Sequence, residues 1–123
     1  MKLVSVCIVV LSIVFLFQSE SMADGNLLLE FCLEADKFTS NRTSYDKYKA
    51  GYCFGIVKGV FDLMLVTRDY LPNKGKLCVP DKGVQDSQKV KIVIKYLEDN
   101  PDKRHLLGAT LSSCAFVKAF PCK

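Results

Sequence analysis

From Leu27 onward, apolar residues recur at intervals of three and four with polar residues between them, the spacing of helices that bury one face. Leu27, Leu28, Phe31, Cys32 and Ala35 predict a first helix, entered through the capping residues Asp24-Gly25-Asn26 and ending near Lys37 or Phe38. Tyr48, Tyr52, Ile56, Val60 and Met64, flanked by Cys53, Val57, Phe61 and Leu65, predict the longest helix. It runs from about Tyr45 to about Tyr70, with Ser44 as its cap and Asp46 in its first turn. Val90, Val93, Ile94 and Leu97 predict a third helix, from a cap at Asp86 or Ser87 to about Glu98, ended by Asn100-Pro101. A last helix runs from about Gly108 to Phe120, where Pro121-Cys122 stops it. No repeat or second domain interrupts this order. The expected fold is all-α, a small single-domain bundle of four to six helices clamped by disulfides.

Two features of this pattern invite closer packing or presentation. Gly51, Gly55 and Gly59 fall on one face of the long helix, each at a cost of roughly 1 kcal/mol relative to Ala. Three on one stripe predict that another backbone packs closely there. Lys58 and Asp62 in the same span argue against a membrane dimerisation motif and are placed to pair on the exposed side. The stretch from Pro72 to Gly83 is a long connection rich in Pro, Gly and Lys, and loops of this length are usually functional or mobile. Cys78 lies inside it and can pin it. Asn41-Arg42-Thr43 matches a glycosylation acceptor, a three-residue pattern of little weight.

The first residues add an address. Lys2, the apolar run Leu3 to Phe17, the polar Gln18-Ser19-Glu20 and the small-x-small Ser21-Met22-Ala23 have the layout of a secretory signal peptide. Cleavage after Ala23 would discard residues 1–23, Cys7 among them, and leave a domain of residues 24–123 with no lasting membrane anchor. The net charge of +4 survives that cut, because it removes one base and one acid. Basic and acidic residues are interspersed, which disfavours nucleic acid as a partner and suits an acidic protein surface.

Chemistry narrows the picture further. Five cysteines remain, and in an exported chain they argue for disulfides with one thiol left over. Cys114 is the expected odd one, buried as a small hydrophobe on a face with Leu111, Ala115 and Val117. With no C-x-x-C and a single histidine, a metal site or other cofactor is not expected. His105 stands in a charged turn without a nucleophile motif, and no glycine-rich phosphate loop is present. The chain does not read as an enzyme.

The stretches in order carry a resemblance. Asp24-Gly25-Asn26-Leu27-Leu28-Leu29-Glu30-Phe31-Cys32, Gly51-Tyr52-Cys53-x-Gly55, Cys78-Val79-Pro80, Val90 to Leu97, Asn100-Pro101-x-Lys103-Arg104-His105 and Ala119-Phe120-Pro121-Cys122 together resemble the Rap/Tai family. These are the amidase immunity proteins of type VI secretion, and the likeness covers essentially residues 24–123. The resemblance implies a periplasmic helical protein, often dimeric, that binds a peptidoglycan amidase effector and blocks its active site. It also implies disulfides Cys53–Cys78 and Cys32–Cys122, the first clamping the basic loop to the central helix and the second closing the ends of the domain. By chain entropy each is worth roughly 3–5 kcal/mol.

The expected mechanism is a plug: a rigid loop loses little entropy on entering an enzyme groove. Lys74, Lys76, Asp102, Lys103, Arg104 and His105 are the candidate partner-binding residues, with Arg104 the favoured anchor because interfaces concentrate energy in Arg and aromatic residues. The competing expectation is a general periplasmic binding or stress-chaperone module with no dedicated effector. An adjacent amidase gene would separate the two.

Overall fold

Four α-helices form the computed structural model, which describes residues 23–122. They are α1 (Gly25–Thr39), α2 (Lys47–Val66), α3 (Asp86–Asp99) and α4 (Gly108–Ala119). Short 3-10 turns stand at Arg68–Tyr70, Asn73–Gly75 and Pro101–Lys103. The leader expected over residues 1–23 lies, Ala23 apart, outside the described residues.

The helix ends follow from local chemistry. Asp24 caps α1 by accepting the Leu27 amide at 2.9 Å, and Asp46 caps α2 by accepting the Lys49 amide at 3.0 Å. Asp46 is therefore the cap of α2 rather than Ser44, and the helix starts two residues later than its periodicity suggests. At its other end Thr67 closes α2, its amide and its hydroxyl both donating to the Leu63 carbonyl. Residues 68–70 continue only as a 3-10 turn, so the long helix is shorter than its predicted span at both ends.

Each helix contributes one buried stripe. Leu28, Cys32 and Ala35 of α1 meet Cys53, Val57 and Phe61 of α2, Val90, Val93 and Leu97 of α3, and Leu111, Ala115 and Phe116 of α4. Edge-to-face rings lock the pairs together, Phe31 with Tyr52 at 5.2 Å and Phe61 with Phe116 at 4.9 Å. One charge enters this layer. Lys89 is only 5% exposed, with its ammonium 4.5 Å from the centre of the Phe61 ring and 2.9 Å from Asp86. The carboxylate and the ring face together replace the water that this cation gives up.

The glycine stripe behaves contrary to expectation. A Cβ at Gly51, Gly55 or Gly59 would meet nothing within 4 Å. The buried face of α2 is the opposite one, through Ala50, Cys53, Val57 and Phe61. The glycines that do admit a close backbone are Gly25 and Gly108. A Cβ on Gly25 would lie 2.9 Å from the Arg104 Cα, and one on Gly108 would lie 3.0 Å from the Ala23 oxygen. There the start of α1 is laced to the entry of α4, with the Gly25 amide donating to Leu106 and the Gly108 amide to Ala23.

The cysteines pair differently from the implied pattern. Cys32 bonds Cys53, and Cys78 bonds Cys122, each with Cα atoms 5.0 Å apart. Cys32 and Cys53 face each other across the α1–α2 contact, where both side chains are fully buried. That pairing leaves the α2 cysteine out of reach of the loop. The loop meets the chain end instead: Leu77 pairs with Pro121 in an antiparallel bridge, and the Cys78 amide donates to the Phe120 carbonyl at 3.0 Å. Cys114 is free, as expected, but exposed rather than buried. It is turned about 100° around α4 from the buried Ala115.

Candidate partner-binding surface

The basic loop is held from beneath. Leu77 is fully buried, and with the Cys78–Cys122 bond it anchors the segment that follows the Asn73–Gly75 turn. Lys74 projects into solvent from that turn, and Lys76 is half-buried just before the anchor. The turn is closed by the Gly75 amide donating to the Pro72 carbonyl at 2.8 Å.

The second predicted segment is built on the end of α3. Asn100 donates its side-chain amide to the Tyr96 carbonyl at 2.8 Å and accepts from the Lys103 ammonium at 3.2 Å. Arg104 folds back, its Nε donating to the Leu97 carbonyl at 2.6 Å and its Nη2 to the Glu98 carbonyl at 3.4 Å. A cation placed on the last carbonyls of a helix satisfies orphan acceptors and complements the helix dipole. Arg104 thus holds the turn in shape, while Asp102, Lys103 and His105 are exposed along it.

Between these segments lies an open groove of about 450 Å³, lined by Lys74, Tyr96, Asn100, Lys103, Ser113, Cys114, Val117 and Lys118. The fold therefore brings Lys74 and Lys103 together across one depression. Lys76, Asp102, Arg104 and His105 do not line it. The Tyr96 hydroxyl faces Cys114, and its pKa is raised chiefly by burial, with Cys114 and then Asp102 adding to the effect. The Lys118 ammonium stands 5.9 Å from the Tyr96 ring centre. Tyr96 and Lys118 were not among the candidates, because on sequence Tyr96 belongs to an ordinary amphipathic helix and Lys118 to a solvated helix end. Only the crossing of α3 and α4 puts them beside the loop.

Among the described residues no cluster of His, Cys, Asp and Glu is arranged to hold a metal ion. No helix among them is long and apolar enough to cross a membrane. What this surface offers is shape, positive charge and hydrogen-bond donors, which are the means of binding another molecule.

The model of the Rap1a immunity proteins matches residues 24–122. The chain belongs to this family. Searches of curated proteins and of solved structures returned no match. Membership makes the chain an immunity protein, whose partner is an effector. The match spans all four helices and both disulfides, so the groove and the two exposed turns belong to the immunity domain itself.

Proposed function

We propose that this protein acts in the periplasm as the immunity partner of a peptidoglycan amidase effector of type VI secretion, binding the enzyme and occluding its active site. The family match over residues 24–122 carries this reading. Two disulfides agree with an oxidising compartment, and the apolar leader of residues 3–17 agrees with export. The Lys74–Lys76 loop and the Asp102–His105 turn are the plug elements. Lys74, Lys103 and His105 make the contact, with Lys76 and Asp102 beside them, and Arg104 acts chiefly by fixing the turn through Leu97 and Glu98. The homodimer that the resemblance implies would use the open face of α2, where Gly55 and Gly59 neighbour the exposed Leu63 and Val66.

The test is inhibition of an amidase encoded beside this gene, measured on purified cell wall. Stoichiometric inhibition by the wild-type protein is expected. Arg104→Ala should weaken it about tenfold, with Arg104→Lys recovering only part, since one ammonium lacks the rigid planar fork that spans the Leu97 and Glu98 carbonyls. An amidase that the wild-type protein neither binds nor slows would remove this reading.

A further inference from the structure

Resting on the immunity reading, the α3–α4 seam points to the chemistry of what it receives. The groove beside Lys74 and Lys103 adjoins a second recess of about 250 Å³, lined by Ile92, Lys95, Tyr96, Asp99, Ala115, Lys118 and Ala119. Tyr96 and Lys118 line both, so the two depressions form one trough along the seam. One end is cationic and the other largely apolar. In the apolar half Lys95 is matched by Asp99 at 3.1 Å.

The cationic half is not matched. Lys37, Lys49, Lys58, Lys89, Lys91 and Lys95 each have a carboxylate oxygen within 4.0 Å. Lys74, Lys103 and Lys118 have none among the described residues. Three uncompensated ammonium groups around one depression, with the Asn100 amide and the Ser113 hydroxyl between them, form an acceptor-seeking surface.

We propose that this trough seats an extended acidic segment of the effector, its carboxylates on Lys74, Lys103 and Lys118 and an apolar side chain in the recess between Ile92 and Ala115. Charge complementarity selects this occupant over a neutral or basic one. Single exposed ion pairs are weak, so recognition rests on several at once and falls steeply with salt. Cys114 lies in the groove wall and reports on occupancy without taking part in it.

The probe is a hexaglutamate peptide, with hexaglutamine as its neutral control and reaction of Cys114 with uncharged iodoacetamide as the signal. Cys114→Ser defines the background. At low salt hexaglutamate is expected to slow Cys114 alkylation at least threefold, and hexaglutamine to leave it unchanged. Lys103→Glu and Lys118→Glu should each weaken the peptide about tenfold, whereas Lys82→Glu, the same charge change on a loop outside the trough, should not. Millimolar hexaglutamate that leaves the Cys114 rate untouched, or that acts equally on all three variants, would overturn the assignment. The peptide assay needs no effector. Its failure beside intact amidase inhibition would discard the trough alone, and lost inhibition beside intact peptide binding would discard the immunity target alone.

Discussion

The amide of Gly108 donates to the carbonyl of Ala23 at 2.8 Å, joining the residue before the α1 cap to the first residue of α4. The contact leaves no room for a side chain, since a Cβ on Gly108 would also lie 3.1 Å from Leu28 Cδ2. Gly25 is tighter still, with Leu111 Cδ1 at 2.5 Å and the Arg104 backbone at 2.9 Å. Gly108→Ala is therefore expected to destabilise by ~1–3 kcal/mol and Gly25→Ala by at least as much, through overpacking against backbone. Gly55→Ala should do the reverse, gaining up to ~1 kcal/mol of helix propensity in open space. Urea denaturation of the three variants checks both signs.

The same contact makes the position of leader cleavage matter. Cleavage after Ala23 removes a buried methyl group and the acceptor of the Gly108 amide, whereas a start at or before Ala23 keeps them. A chain beginning at Asp24 should be less stable by ~1 kcal/mol than one that retains Ala23, the net worth of one such bond. Thermal unfolding of the two forms measures this, and equal midpoints would mean that water replaces the carbonyl at no cost.

These cases mark where sequence suffices. The helix periods placed all four helices to within a few residues, because Leu28, Val57, Val93 and Leu111 lie on stripes that only a helix keeps together. Sequence did not reveal what lies opposite a stripe. Glycines 51, 55 and 59 share a face on paper, but a four-residue spacing is silent on whether that face meets a neighbour or solvent. Pairing of the cysteines failed for a related reason. Five cysteines restrict the partners weakly, and the choice was made by the antiparallel packing of α1 on α2 and by the Leu77–Pro121 bridge, both tertiary facts. At the site, Lys74 and Lys103 were legible as exposed basic residues. Tyr96 and Lys118 were not, since nothing local distinguishes them from other helix-surface residues.

The two disulfides should differ in accessibility. Cys32 and Cys53 are sealed in the core, while Cys78 is exposed and Cys122 half-buried. Mild reductant is expected to open Cys78–Cys122 first, freeing the basic loop from the chain end with the four helices still folded. Closing loops of 21 and 44 residues, they contribute about 3 and about 4 kcal/mol by chain entropy. Non-reducing proteolysis with mass spectrometry reads both the pairing and the order. Peptides linking Cys53 to Cys78 would contradict the structure.

Acid should loosen the α1–α2 hairpin through Glu34. Its carboxylate accepts from the Lys37 ammonium at 2.5 Å and from the Asp46 amide at 2.8 Å, so it ties α1 to the cap of α2. The Lys37 hydrogen bond first, and the Asp46 amide second, hold its pKa below the ordinary value of 4.5. A depressed carboxylate binds fewer protons in the folded chain than in the unfolded one. Its stabilisation is thus fully present above about pH 4.5 and is lost as pH falls through the lowered folded value. Asp86, lowered by its hydrogen bond to Lys89, adds a loss of the same sign in the same acid range. Glu34→Gln should lower stability at pH 7 and flatten the decline below pH 4.5, because the variant has no carboxylate to protonate at this joint. Urea midpoints of wild type and variant from pH 7 to pH 2.5 give the comparison. Curves that stay parallel through the acid range would show that Glu34 contributes nothing to it.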